Sequence, residues 1–236
     1  MALVSRSERG TFNGGIYMPG HEEDCRAYTE ALIDKVNDEQ NNEKVKYERK
    51  LFQAHPLHGV SIGKDYPDIV AAVIEIPAGS RVKTELDIAT GLLCVDRILH
   101  SSTVYPANYG FIPETLAGDT NPLDIVVLSS IAVPARSIMH ARPIGIVGMT
   151  NNGKIDEKVI AVSIGDPEYN FYTDITQLPP FKLIMINQFF IDYKKLERAN
   201  VIVQKPKSAD VAKRVVTQWH ENYLKTYNLL DSTEKK

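Results

Sequence analysis

IVAAVIEI, residues 69–76, is the run that decides the fold, since β-branched side chains dominate it and Pro77 ends it. Such residues favour strands, and proline marks where a strand stops. Further short runs follow at Arg81–Asp87, Leu92–Leu99, Asp124–Leu128, Ile144–Met149 and Lys158–Val162, separated by Gly, Pro, Asn and Asp. Several short strands with turn residues between them favour an antiparallel barrel over a βαβ fold.

Two helices are predicted after residue 178, where the hydrophobic period changes from two to about 3.6 residues. Pro179 and Pro180 open the first helix, because proline suits the first helical position. Its apolar face carries Leu183, Ile186, Phe190 and Tyr193. The second helix is expected after a Ser208 cap, with Val211, Val215, Trp219 and Tyr223 on one face. The predicted class is therefore mainly β with flanking α, and the C-terminal helices pack outside the barrel.

Three regions divide the chain. Residues 1–53 form an N-terminal extension, partly disordered with a surface helix, which offers a contact for a partner. Residues 54–228 form the barrel domain, and residues 229–236 form a flexible tail.

Composition excludes several functions. The chain has 236 residues, of which 43% are hydrophobic, and a net charge of −3, which gives no footprint for nucleic acid or an anionic membrane. Cys25 and Cys94 are too few for a disulfide framework. No apolar run approaches the roughly 18 residues that span a bilayer, so a cytoplasmic protein is expected. Ser and Arg within residues 2–15 leave import into an organelle open.

Glu75 is the first residue that indicates chemistry, because it interrupts an apolar strand. A carboxylate in that setting is costly unless it is paired, solvated or facing a cavity. On the next strand, Lys83 and Glu85 share one face. An ordinary amphipathic strand would turn that face to water. The buried acid instead favours a pocket lined by Glu75, Lys83 and Glu85.

The turn DTNPLD, residues 119–124, is the strongest local signal. Crowded carboxylates repel each other unless a hard cation neutralises them, and oxygen ligands suit Mg²⁺. An EF-hand is excluded because its glycine and closing glutamate are missing. Upstream, Arg97, Tyr105 and Tyr109 are natural donors to a phosphate. The alternatives are an acidic surface turn, a surface arginine and core tyrosines.

Ordered motifs carry a family resemblance. They are VIEIP at 73–77, KTELD at 83–87, VDRIL at 95–99, VYPANYGFIP at 104–113, DTNPLD at 119–124 and FFIDYKK at 189–195, with AHPLH at 54–58 and DPEY at 166–169 beside them. Over residues 54–226 the chain resembles the family I soluble inorganic pyrophosphatases of plants, protists and bacteria.

The resemblance implies an OB-like five-stranded antiparallel barrel that hydrolyses pyrophosphate to two phosphates with several Mg²⁺ ions, in phosphate metabolism. It implies that substrate is bound by Lys83, Arg97, Tyr109, Lys158, Tyr193 and Lys194. It implies metal ligands at Glu75, Glu85, Asp119, Asp124, Asp156, Asn121 and Asn151. The implied catalytic residues are Asn121, Asp119, Tyr109 and Arg97. Relatives assemble as monomers, dimers or hexamers, so a homo-oligomer is one expectation.

Two positions depart from the family pattern: Asn121 and Asn151 stand where relatives carry metal-binding aspartates. An amide oxygen ligates Mg²⁺ without adding negative charge, and it cannot accept a proton at neutral pH. We therefore expect attenuated hydrolysis. The alternatives are a catalytically inactive paralogue that acts as a binding or structural subunit, and an OB-type nucleic-acid binder, which the net negative charge disfavours.

Overall fold

The computed structural model describes residues 55–118, 120–151, 154–197, 199 and 201–227. The expectations for the extension at 1–53 and for the tail at 229–236 fall outside these residues. No helix in the described part is long and apolar enough to cross a membrane.

Nine strands and two helices make up this part of the chain. The strands are β1 Val70–Ile76, β2 Val82–Leu86, β3 Leu93–Ile98, β4 Asn108–Ile112, β5 Leu123–Leu128, β6 Ile138–Asn151, β7 Lys154–Ser163, β8 Val201–Val203 and β9 Lys207–Ser208. The helices are α1 Pro180–Asp192 and α2 Ala209–Thr226, and 3-10 turns cover Ile175–Gln177 and Lys195–Glu197.

Five of the strands close into a ring in the order β1, β4, β5, β7, β6 and back to β1. Four of these pairings are antiparallel, while β5 and β7 run parallel. The predicted OB-like fold of five strands is thus confirmed, with one parallel pairing inside it. β2 and β3 form a separate two-stranded hairpin, and β8 and β9 add to β6.

Both faces of the ring strands are buried. Alternate residues of β5 belong to different hydrophobic clusters: Val126 and Leu128 to the cluster that includes α1, Ile125 and Val127 to the cluster that includes α2. Because side chains alternate along a strand, a strand covered on both faces is apolar at nearly every position. The apolar runs in the sequence therefore correspond to strands that are buried on both faces.

The two helices lie where the sequence indicated. α1 has Pro180 in its first turn and buries Ile186, Phe189 and Phe190, with Leu183 partly buried. α2 begins directly after Ser208, as predicted. The cap differs, because the Ser208 side chain makes no capping bond. Asp174 supplies it instead, its Oδ2 accepting from the Ala209 amide at 2.9 Å.

The buried face of α2 is also rotated from the predicted one. Its fully buried positions include Ala212, Val216 and His220, whereas Val211, Val215 and Trp219 are partly buried beside them. His220 has a structural role, since its Nδ1 lies 2.7 Å from the Glu114 carbonyl oxygen.

β4 is the strand that the sequence runs do not predict, because asparagine and glycine interrupt it. All five of its residues are nevertheless buried. Gly110 explains the composition: a Cβ at this position would lie 1.9 Å from the Val73 carbonyl oxygen of the neighbouring strand. Only glycine allows β4 to pair this closely with β1.

Gly110→Ala is expected to destabilise the protein by about 3 kcal/mol or more, because the added methyl group clashes with rigid backbone. Equilibrium urea unfolding measures the effect. Gly165→Ala is the control, since a Cβ at Gly165 meets nothing within 4 Å. Equal stability of the two variants would contradict the close approach of β1 and β4.

His58 joins the start of the described chain to α2. Its Nδ1 lies 2.8 Å from the Tyr223 hydroxyl, and its ring contacts those of His55 and Tyr227. Burial, and then the charge of His55, lowers the pKa of His58 from 6.5 to about 4.

A depressed histidine pKa means that the unfolded chain binds the extra proton first. The stability from neutral His58 is therefore complete above about pH 6.5 and is lost as the pH falls toward 4. At about 1.4 kcal/mol per pKa unit, the loss is at most about 3 kcal/mol. Urea unfolding at pH 7 and pH 4 should show a smaller decrease for His58→Gln than for the natural sequence. Parallel decreases would count against this assignment.

Candidate active site

One cleft gathers side chains from five strands and the end of α1. Its volume is about 230 Å³. It is lined by Glu75, Lys83, Thr84, Glu85, Leu86, Ile88, Tyr109, Phe111, Asn121, Pro122, Asp124, Asp156, Lys158, Tyr193 and Lys194. Acids, lysines and tyrosines from distant parts of the sequence therefore meet at one surface.

Most residues singled out in the sequence lie at this cleft. Glu75, Lys83 and Glu85 line it together, as the strand pattern predicted. Arg97 lies near it but does not line it. Asn151 is the last residue of β6, paired through the backbone with Lys154. Asp119 lies outside the described residues.

Lys158 is the buried cation of the cleft. The parallel pairing of β5 and β7 sets Asp124 directly opposite Lys158. Its Nζ pairs with Asp124 and lies 2.6 Å from Asp156 Oδ1. Burial by itself lowers the pKa of Lys158, but the two carboxylates outweigh it and raise the pKa above the usual range. Lys158 is therefore charged at any physiological pH.

Glu75 is a buried carboxyl on β1 with 7% of its surface exposed. Its Oε1 accepts a hydrogen bond from the Leu86 amide at 2.7 Å. Burial, and then the charge of Asp124, raises the pKa of Glu75 to about 8. Lys83 and Lys158 offset only part of this increase. Glu75 is therefore mostly protonated at neutral pH.

The tyrosines keep their protons. Tyr109 on β4 is buried, with the Lys158 Nζ 5.6 Å from its ring centroid. Burial, followed by the charges of Asp124 and Asp156, raises the pKa of Tyr109 well above its usual range. Burial likewise raises the pKa of Tyr193 to about 12. Both phenols remain hydrogen-bond donors at neutral pH.

The β2–β3 hairpin and the segment after α1 supply the remaining cations. Lys83 forms ion pairs with Glu85 and with Asp96, the latter at 2.8 Å. Burial, and then the charges of Arg97 and Lys83, lowers the pKa of Lys194. Lys194 is thus a partly buried cation among other cations, and an anion entering the cleft relieves that repulsion.

Arg97 is held by two carboxylates. Its Nη1 lies 2.5 Å from Asp96 Oδ2, and its Nε lies 2.8 Å from Glu197 Oε1. Asp96 and Glu197 were not among the site residues predicted from sequence. Asp96 is the neighbour of Arg97, whereas Glu197 is 100 positions away and carries no local signal.

The acid-bearing turn, residues 114–121, is anchored to α2. The Trp219 carbonyl accepts from the Leu116 amide at 3.0 Å, and Asn222 Nδ2 donates to the Leu116 carbonyl at 2.9 Å. Within the turn, the Ala117 amide donates to the Asn121 carbonyl at 2.7 Å. Thr120 has a positive φ of 69°, and the next residue, Asn121, lines the cleft.

A hard divalent cation suits the donors of the cleft. The carboxylates of Glu75, Glu85, Asp124 and Asp156 and the amide of Asn121 offer oxygen, the ligand that Mg²⁺ prefers. Burial, and then the charge of Asp124, raises the pKa of Glu75, and a cation bound beside it would lower that pKa again. No three acid, histidine or cysteine side chains of the described residues already stand in a metal-binding group. The chemistry of the donors fits the ion, while lysines now pair with several of them.

Comparisons with known proteins identify the family of the chain. The family model for inorganic pyrophosphatase matches residues 72–224. Soluble inorganic pyrophosphatase 2 of Chlamydomonas reinhardtii is 49% identical over 174 residues, covering 74% of this chain and 91% of that protein. Soluble inorganic pyrophosphatase 1 of Arabidopsis thaliana is 50% identical over 155 residues, covering 66% of this chain and 73% of that protein.

A solved structure is similar as well. The inorganic pyrophosphatase of Thermus thermophilus superposes with a TM-score of 0.69 at 34% identity, covering 71% of this chain and 98% of that one. Fold, cleft and sequence thus define a hydrolase of the inorganic diphosphatase class. The chain belongs to the family I soluble inorganic pyrophosphatases.

Lys158→Met is expected to lower the free energy of unfolding by about 3 kcal/mol or more, because it leaves Asp124 and Asp156 without their buried cation. Urea unfolding with a chelator present measures this. Lys213→Met is the control, since Lys213 also has a 2.6 Å pair, with Asp68, but at the surface. That change should cost less than about 1 kcal/mol. A similar small loss for both variants would show that the Lys158 cluster adds little.

Proposed function

We propose that this chain hydrolyses inorganic pyrophosphate to two phosphates with the help of several Mg²⁺ ions, at a rate reduced by Asn121 and Asn151. The observation that carries the proposal is the convergence of three lysines, two tyrosines and a set of carboxylates on one small cleft. Pyrophosphate is a compact polyanion that needs both positive donors and bound cations.

The cations of the chain hold the phosphate groups. Lys158 stays charged because Asp124 and Asp156 flank it, and Lys83 and Lys194 face the same cleft. Lysine binds phosphate as a compact charge with three donors. Tyr109 and Tyr193 donate hydroxyl protons to phosphate oxygens, since the pKa of each lies far above neutrality. These side chains stabilise the leaving phosphate without losing a proton.

Mg²⁺ would be held by Glu75, Glu85, Asp124 and Asp156, with Asp119, Asn121 and Asn151 as further ligands. When bound, such ions supply charge to the diphosphate and lower the pKa of the attacking water. The ion pairs of Lys158 and Lys83 orient Glu85, Asp124 and Asp156 before an ion binds.

Asn121 is the chemical reason for a reduced rate. It lines the cleft beside Asp124, where an aspartate would add one charge and one proton acceptor. The amide provides neither at neutral pH. Losing a positioned base typically costs about 10²–10⁴ in rate.

A second function has an observation in its favour. The phosphate-facing cations are intact, whereas the substitutions fall on acid positions. A chain with this pattern binds phosphate yet turns over little, and it would serve as a binding or structural subunit. The extension at 1–53 then offers the contact to its partner.

The double reversion Asn121→Asp, Asn151→Asp separates the two functions. We expect phosphate release from pyrophosphate in millimolar Mg²⁺ to be measurable for the natural chain and at least about tenfold faster after reversion. Asn170→Asp is the control, because it adds a negative charge, one of the two that the double reversion adds, at an exposed position away from the cleft. No phosphate release before reversion, and release after it, would identify the inactive paralogue. An unchanged rate would remove both asparagines from the catalytic argument.

Metal affinity has an independent readout in the same variants. The chain has a single tryptophan, Trp219, whose ring lies 3.6 Å from the position of a Cβ on Gly118 in the acid-bearing turn. Its emission should therefore change when Mg²⁺ binds. Reversion is expected to shift the midpoint of that titration to several-fold lower Mg²⁺, since charged oxygens bind the ion more tightly.

A further inference from the structure

Arg97 is fixed from two directions by carboxylates of different elements. Asp96 precedes it on β3 and accepts from Nη1, while Glu197 lies on the turn after α1 and accepts from Nε. The side chains of Arg97 and Glu197 are only 19% and 20% exposed. One carboxylate alone would let the planar guanidinium rotate, whereas two on different nitrogens fix its plane.

The third guanidinium nitrogen is left available. Arg97 Nη2 is buried and has no hydrogen-bond partner in the part of the chain that the structure describes. Buried polar groups are nearly always paired, so a buried donor of this kind marks a place for an acceptor that arrives from outside. An anionic oxygen is the acceptor that suits a guanidinium.

The surroundings of Arg97 belong to the cleft. Its charge acts on Lys194 and on Tyr193, both of which line the cleft. Lys83, its register partner on β2, lines the cleft too. The segment from Tyr193 to Glu197 thus carries two cleft residues and, three positions after Lys194, the carboxylate that holds Arg97.

We propose that Glu197 is a positioning residue, which orients Arg97 so that Nη2 donates to a phosphate group in the cleft. This inference rests on the proposed function, because it takes the cleft to bind phosphate. Glu197 itself does not touch the substrate. It connects the end of α1 to the guanidinium of Arg97 on β3. This connection places the cation from β3 and the cation at the end of α1 around the same phosphate.

Calorimetric titration with inorganic phosphate in the presence of Mg²⁺ tests the proposal without needing turnover. Glu197→Ala should weaken phosphate binding about tenfold, the value of a charge-assisted hydrogen bond that orients a donor. Glu197→Gln keeps an oxygen acceptor for Nε, and its affinity should stay within about threefold of the natural chain. Asp68→Asn is the matched control, since it removes an ion pair away from the cleft.

A double-mutant cycle with Arg97→Ala gives the decisive result. If Glu197 acts through Arg97, Glu197→Ala should cause no further loss of phosphate affinity once the guanidinium is gone. An undiminished tenfold loss in that background would overturn the proposal, because Glu197 would then act on the fold at large. Failure of Glu197→Gln to recover affinity would also overturn it.

Failure of the proposed function is distinguishable from failure of this inference. If the natural chain binds no phosphate, both are overturned together. If it binds phosphate and Arg97→Ala weakens binding while Glu197→Ala does not, only the role of Glu197 is overturned. Unfolding curves of every variant confirm that affinity is compared between folded proteins.

Discussion

The buried ion cluster of Lys158 with Asp124 and Asp156 is the constraint around which the cleft is organised. It exists because β5 and β7 run parallel and set Asp124 opposite Lys158. A lysine this deeply buried is tolerable only with opposite charge in contact. If either acid moved away, Lys158 would be left buried with less opposite charge beside it, which is unfavourable. The pairing of the ring strands and the arrangement of the cleft are therefore coupled. Tyr109, which lies under the Lys158 ammonium, is fixed by the same cluster.

Asn121 brings an uncharged amide oxygen to the cleft, where an aspartate would bring a charged oxygen. Asn121 stays at the cleft wall because the backbone of its turn holds it there. Glu75 and Asp124 still repel each other across the cleft, as the raised pKa of Glu75 indicates. The lysines of the cleft that would bind phosphate keep their ion pairs. If the proposed function holds, affinity for phosphate and capacity for turnover are separable properties of this protein.

The sequence predicted most of the fold because its signals are local. Apolar runs and turn residues located β1 and β5 to within one residue, whereas β6 and β7 begin six and four residues before the predicted runs. Pro179 with Pro180 located α1. β4 was missed since its glycine serves a contact with Val73, which no periodicity reveals. The cap of α2 was misassigned for a similar reason: Asp174 reaches the Ala209 amide from 35 residues away.

The cleft was predictable only in part. A lone acid in an apolar strand pointed to Glu75, and the acidic turn pointed to Asp124. The family resemblance supplied Lys158, Tyr193 and Lys194, whose strand or helix context alone gives no hint of a shared surface. Arg97 was expected to bind substrate, while the two carboxylates that hold it, Asp96 and Glu197, were not predicted. Contacts between side chains a hundred residues apart depend on the chain topology. A sequence pattern within one segment does not predict them.

The hydrogen bonds between the acid-bearing turn and α2 affect the order in which parts of the molecule form during synthesis. Leu116 is held by the backbone carbonyl of Trp219 and the side chain of Asn222, and Asn222 is 106 residues further along the chain. The ring strands are complete long before that. All five ring strands of a nascent chain are therefore made while the acid-bearing turn still lacks its anchor, which becomes available only when α2 has been made.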